Sequence, residues 1–225
     1  MSQTNVPAQI PHDVGLDGLR QAAAGCRACE LWQGTTQTVF GDGPETARIV
    51  MLGEQPGDQE DRMGEPFVGP AGRLLDRALA DAGVDRHEAY ITNAVKHFHF
   101  AVKGKRRIHQ TPRPEHLRAC RPWLEAELQL LRPEVVVCLG ATAAKALISP
   151  AFRITRERGQ LRPWMTRGIG QAENENDEPD EAAPAQMWIL ATTHPSAILR
   201  APEDARPAAY DALVADLRVV AHALA

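Results

Sequence analysis

Arg48-Ile49-Val50-Met51-Leu52 runs directly into Gly53-Glu54-Gln55-Pro56-Gly57-Asp58, and this junction decides how the chain folds. The short apolar run, ended by glycine and proline, reads as a buried strand followed by a tight turn. Outward from it, Gly72–Ala82 places Leu74, Leu75, Ala78, Leu79 and Ala82 on one face of a helix. Ala89–Thr92 is a second short strand. Pro114–Leu131 is an amphipathic helix with proline in its first turn and Pro133 just past its end. Glu134–Leu139 (EVVVCL) is the clearest buried strand, and Ala141–Ile148 forms a helix after Gly140. Met187–Ala191 is a further strand and Asp204–Ala223 a closing helix. This alternation predicts an α/β fold, a central parallel sheet with helices on both faces. Ligands of such sheets bind at the carboxyl ends of the strands. Gly53–Asp58, Asn93–His109 and His194-Pro195-Ser196 each follow a predicted strand, so one cleft should hold all three.

The 225 residues suit one domain, expected over 14–225, with a disordered tail at 1–13. Residues 170–186 carry Glu173, Glu175, Asp177, Glu178, Asp180 and Glu181 with almost no large apolar side chain, as a flexible acidic insertion would. No apolar run approaches the ~20 residues that span a bilayer. Residues 1–13 show neither a signal-peptide nor a transit-peptide pattern. A cytoplasmic monomer without membrane partners is expected.

The formal net charge of −4 argues weakly against nucleic-acid binding, but its distribution argues for it. From Lys96 to Arg121 eight lysines and arginines face one acid, Glu115. That segment carries +7 and the remainder −11. Such a patch gives local phosphate affinity on an otherwise acidic body. Within it, Lys105-Arg106-Arg107-Ile108-His109 gathers three cations and a titratable histidine on a loop. A solvated charged face is the competing explanation.

The cysteines are Cys26, Cys29, Cys120 and Cys138, the first two as a C-x2-C pair at the end of a predicted N-terminal helix. Without a secretory signal two disulfides are disfavoured. Four thiolates can hold zinc or an iron–sulfur cluster, and spacing does not choose between the metals. The structural alternative is that Cys120 and Cys138 are simply buried.

With these residues laid out, the chain resembles the iron–sulfur, family 4-type uracil-DNA glycosylases from about Cys26 onward, apart from the acidic insertion. Within that superfamily it resembles the UdgX proteins. Gly53–Asp61 continued by Gly64-Glu65-Pro66-Phe67-Val68-Gly69 looks like the family's first motif, Ile91-Thr92-Asn93 like its pyrimidine-reading strand end, and His194-Pro195-Ser196 like its last motif. Gln55 and the Lys105–His109 insertion are the features similar to UdgX.

The resemblance implies a three-layer glycosylase fold and a [4Fe–4S] cluster on the four cysteines. It implies uracil-containing DNA as partner, single-stranded or with the base flipped out, and free uracil as product. Phe67 would stack on the base, Gly53 would border the pocket, and Asn93 would read N3–H and O4 through one amide. His194 would stabilise the leaving uracil at O2, and Glu54 would stabilise the developing sugar cation. His109 would attack C1′ and remain bonded to it, kept neutral by Lys105, Arg106 and Arg107. Gln55 would anchor the His109 loop or the sugar through its amide, with Asp58 helping to hold that network. Lys105, Arg106, Ser196 and Arg200 would contact phosphates, with Ser196 alternatively a helix cap, and Arg107 would position the loop or bind phosphate. An ordinary multiple-turnover glycosylase and a non-catalytic iron–sulfur DNA-binding module are the alternatives.

Overall fold

The computed structural model describes residues 7–164 and 187–225. The expected acidic insertion at 170–186 and residues 1–6 of the expected tail lie outside the described residues. Of the remaining tail, Ala8 and Ile10 pack on the cluster of Leu19, Ala23, Phe40 and Trp123.

In chain order the helices and strands are α1 (Leu16–Ala23), β1 (Ile49–Gly53), α2 (Asp58–Met63), α3 (Pro70–Ala82), β2 (Ala89–Asn93), β3 (Phe100–Lys103), β4 (Arg106–His109), α4 (Pro114–Leu131), β5 (Val135–Leu139), α5 (Ala141–Leu147), α6 (Ile154–Glu157), β6 (Arg162–Trp164), β7 (Met187–Thr192), α7 (Pro195–Arg200) and α8 (Arg206–Leu224). The main sheet has the order β2-β1-β5-β7-β6. Its first four strands are parallel, as expected, and β6 closes one edge antiparallel to β7. Nothing in Arg162-Pro163-Trp164 alternates, and proline is tolerated there because the strand is an edge.

Side chains alternate across the strands and build two apolar layers. On one face Ile49, Met51, Val135 and Val137 pack with Leu74, Leu75 and Leu79 of α3 and Leu213, Leu217 and Val220 of α8. On the other, Val50, Leu52, Val136 and Cys138 pack with Leu124 and Leu128 of α4 and Ala143 and Ala144 of α5. Each fully buried aliphatic side chain contributes roughly 1.5–3 kcal/mol, so the strand ends are set by a rigid core. The three segments expected in one cleft all leave that core at the carboxyl end of the parallel strands.

The stretch expected as a basic loop is a separate antiparallel ribbon of β3 and β4. Phe100 pairs with His109 and Val102 with Arg107, around a turn in which Gly104 takes φ +61. The alternation of a strand therefore puts Arg107 and His109 on one face and Arg106 and Ile108 on the other.

Candidate functional site

The floor of the cleft is built where β1 and β2 end. Beyond their paired residues the parallel ladder continues into the turns, with Ala94 N donating to Gly53 O at 2.9 Å and Val95 N to Glu54 O at 3.0 Å. Asn93 is buried and its side chain lies over Gly53. A β-carbon at Gly53 would stand 2.2 Å from Asn93 Oδ1 and 2.8 Å from the Phe67 ring, so only glycine leaves this pocket open. Asn93 Oδ1 is buried without a hydrogen-bond partner. A lone buried acceptor costs about 1–3 kcal/mol, a cost that a ligand N–H removes.

Phe67 holds φ +57, a left-handed conformation that a bulky residue adopts only when its surroundings enforce it. Its ring stacks on His194 with centroids 5.7 Å apart and planes inclined by 30°. His194 precedes α7, and its Nδ1 accepts from Ser196 N at 3.1 Å. Nδ1 being an acceptor, the ring proton resides on Nε2, which is left as a donor. Burial, then the charges of Arg200 and His109, push His194 down to about 4, so the ring is neutral at physiological pH. His194 itself caps α7, and Ser196 receives the cap through its backbone N–H rather than acting as the cap.

The ribbon is clamped against this pocket by polar contacts. The Gln55 amide donates to His99 O at 3.1 Å and Gln110 O at 3.0 Å and accepts from His99 N at 3.0 Å, closing the ribbon's base like an extra strand pair. Arg107 binds Asp58 at 2.5 Å and Asp61 at 2.6 Å, and its guanidinium lies over Phe98 and Phe100. Asp58, the first residue of α2, is held in the carboxylate form with Arg62 and Arg107 opposing the effect of burial. These contacts present His109, half exposed, with Nε2 3.5 Å from Glu54 Oε1.

Burial lowers the pKa of His109, Glu54 opposes, and Arg200 and His99 add to the lowering. The direction agrees with the sequence-based expectation and the cause does not. Lys105 and Arg106 are exposed at the ribbon's turn and Arg107 is neutralised by two aspartates, so Arg200 at the end of α7 is the cation that His109 experiences.

The structure divides the four cysteines. Cys29 and Cys120 share a small buried cluster with Leu31 and Val95. The hydrogen bond from Cys120 draws the Cys29 thiol down to about 5 against burial, with the His97 ring adding to the effect. Cys26 lies alongside, its sulfur accepting from Trp123 Nε1 at 3.3 Å, and Cys120 Sγ accepts from Lys96 N at 3.4 Å. Cys138 is elsewhere. It lies mid-sheet on β5 between Leu52 and Ala191, packed in the α4–α5 layer, and burial alone raises its pKa. Of the four cysteines expected as ligands, Cys138 stands apart from the others, in the core, because its strand is covered on both faces. The donor chemistry beside Cys26, Cys29 and Cys120 suits an iron–sulfur cluster, three thiols together with the buried His97 ring. Among the described residues no three His, Cys, Asp or Glu side chains stand at the spacing of an assembled metal centre, so cluster binding would draw these groups inward.

A family model for the uracil DNA glycosylase superfamily matches residues 40–218. The chain belongs to that superfamily. It is 39% identical over 176 residues to the type-4 uracil-DNA glycosylase of Thermotoga maritima, covering 78% of each chain. To the type-4 enzyme of Archaeoglobus fulgidus it is 33% identical over 192 residues, covering 84% of this chain and 85% of the relative. To that of Pyrobaculum aerophilum it is 32% identical over 187 residues, covering 83% and 86%.

Three groups in this superfamily member escaped sequence reasoning. Asp61 is fully buried, taking Arg107 on one side and Thr36 N at 3.0 Å on the other. Lys96 and Glu127 form a buried ion pair, with Lys96 Nζ donating to Asn93 O at 2.9 Å and Glu127 accepting from Tyr90, Thr92 and Gly41 N. Lys96 had been counted among the surface cations. Its signal was position, four residues after Thr92 in a segment leaving a buried strand. Asp61 and Glu127 carried no signal, because each is defined by a partner distant in sequence.

Proposed function

We propose that the protein is a uracil-DNA glycosylase that acts on uracil in DNA and retains the abasic sugar on His109. The observation that carries this reading is the juxtaposition of base-recognising contacts with an imidazole whose pKa is lowered by burial. Asn93 Oδ1 lacks a partner, Phe67 offers a stacking face, His194 offers Nε2–H, and His109 Nε2 stands beside Glu54. The type-4 glycosylase names of the relatives support the same substrate.

Uracil would lie on Phe67 with N3–H donated to Asn93 Oδ1, a pairing that cytosine, which has no N3–H, cannot make. As the C1′–N1 bond breaks, its electron pair leaves with uracil and the O2 charge is met by His194 Nε2–H. The Glu54 carboxylate stabilises the sugar cation. The bare lone pair of His109 Nε2, with the ring proton on Nδ1, then forms the bond to C1′, and the Nδ1 proton is lost to water to leave a neutral N-alkylated imidazole. Uracil departs as the anion and takes a proton from water. An N-alkylated imidazole is a poor leaving group, so the enzyme turns over once. The cluster would lie on Cys26, Cys29 and Cys120, stiffening the segment that leads away from Asn93 rather than entering the chemistry.

The half-exposed His109 ring also favours a second reading, in which water reaches C1′ first and the enzyme turns over repeatedly. Denaturing electrophoresis after incubation with uracil-containing single-stranded DNA separates the two. A heat-stable protein–DNA band, stoichiometric with enzyme and lost in His109→Ser, is expected. Abasic product in molar excess over wild-type enzyme, with no such band, would reject retention and leave excision standing.

A further inference from the structure

We infer that Asp216, held by Arg158 and acting through Thr192, is a positioning residue for His194 and sets where the donor to the leaving base stands. This role presupposes the one given to His194 above. Thr192 is the last residue of β7 and is fully buried, and by strand alternation it shares the α8 face of the sheet with Leu190. Its hydroxyl donates to Asp216 Oδ2 at 2.5 Å. Asp216 lies on α8 between Leu213 and Leu217 of the apolar layer and is itself buried. Arg158, in the turn after α6, pairs with the same carboxylate oxygen at 2.6 Å and donates to Ala212 O of α8 at 2.5 Å. The backbone is shaped around the carboxylate. Gly159 N donates to Ala191 O at 2.9 Å, and a β-carbon at Gly159 would stand 2.4 Å from Asp216 Oδ1.

An ion pair in such a layer is a poor source of stability, because desolvating the charges offsets their attraction and apolar side chains of similar volume often serve as well. What the pair supplies here is direction. Thr192 O accepts from Gly140 N at 2.8 Å, which fixes the strand end against β5, and the hydroxyl bond to Asp216 fixes it against α8. Two residues later His194 leaves that fixed point to stack on Phe67.

The strand end that delivers Asn93 is built the same way from the opposite layer. Thr92 donates to Glu127 of α4 at 2.9 Å, and Glu127 is paired with Lys96. Thr92 and Thr192 stand opposite Leu52 of β1 and Leu139 of β5, which have no hydroxyl to be gripped. The grip therefore occurs on the two parallel strands that carry a side chain with a hydrogen-bonding group for the base.

The test uses the full-length protein and single-turnover release of uracil from uracil-containing single-stranded DNA, with the half-saturating enzyme concentration and the thermal unfolding midpoint measured alongside. Thr192→Val keeps the shape and removes the hydroxyl, and it should slow release at saturation about tenfold with the half-saturating concentration unchanged. Thr192→Ser should restore most of the rate. The deciding measurement is a double-mutant cycle, in which Thr192→Val added to His194→Ala should have no further effect because the group it positions is gone. Thr192→Ala carries the same cycle if valine unfolds the protein. A wild-type rate in Thr192→Val overturns the inference, and so does a tenfold loss that persists undiminished in the His194→Ala background, since that loss bypasses His194. A wild-type rate in His194→Ala overturns the role of His194 itself and the inference with it, an outcome distinct from a silent Thr192→Val in a protein that His194→Ala cripples.

Discussion

The pocket and the ribbon are held by opposite means. Gly53, Asn93 and His194 stand at the ends of buried strands and Phe67 packs on the core from the loop between α2 and α3, so their positions are dictated by layers that leave little room for adjustment. His109 stands on two four-residue strands that contribute almost nothing to that core and are kept in place by Gln55, Arg107 and two aspartates. In the proposed mechanism base recognition thus belongs to the sheet, and capture to an attached element. The two should be separable by mutation: damage to the pocket removes excision and adduct together, whereas damage to the ribbon changes the ratio of free abasic product to adduct.

The largest effect is expected from Asn93→Ala. Loss of the amide that faces the base should lower single-turnover excision by about 10³-fold, with adduct falling in parallel. His194→Ala, which removes the donor to the leaving group, should cost about 10²–10³-fold in the same assay. Adduct surviving in either variant while excision vanished would break the comparison, since capture cannot precede cleavage.

Arg107→Ala sharpens it from the other side. Without the bridge from Asp58 and Asp61 to the ribbon, adduct yield should drop roughly ten- to hundredfold while uracil release changes little, because a displacement of about 1 Å at a reacting group has this order of effect. Quantifying free uracil and adduct in one time course measures both. Gln55→Ala removes hydrogen bonds worth about 1 kcal/mol, so the same ratio should shift roughly fivefold.

The smallest effect concerns pH. In the proposed mechanism the neutral form of His109 is the nucleophile, and burial holds its pKa below the ordinary 6.5. Adduct formation should therefore be flat near neutrality and fall on acidification, with its midpoint below that of an ordinary histidine. A midpoint above 6.5 in rapid-quench rates would mean that Glu54 outweighs burial at this ring.

Much of the sheet was legible because β1, β2 and β5 announce themselves as apolar runs ended by glycine or asparagine, and α4 because Pro114 and Pro133 bracket it. The pocket residues followed, since strand ends fix where side chains go. The ribbon was read as a loop for a physical reason. Phe100-Ala101-Val102-Lys103 buries no alternating face, and what makes it a strand is a set of polar contacts from Gln55 and Arg107 that no local pattern encodes. The same limit hid that Cys138 lies in the core, apart from the other cysteines. Four cysteines invite a four-cysteine site, although EVVVCL itself describes a strand covered on both faces. His97 gave the complementary warning only in hindsight, since one histidine among several in a basic segment does not reveal that its neighbours are thiols.

Asp61 has a consequence for how this architecture could be acquired or dismantled. It is a carboxylate sealed from solvent whose principal countercharge, Arg107, arrives from a strand outside the main sheet. Trimming the ribbon would strand that carboxylate, and transplanting the ribbon into a homologue lacking an acid at this place would leave the arginine nothing to grip. The ribbon and its receptor on α2 thus form a matched pair, to be altered or grafted as one unit.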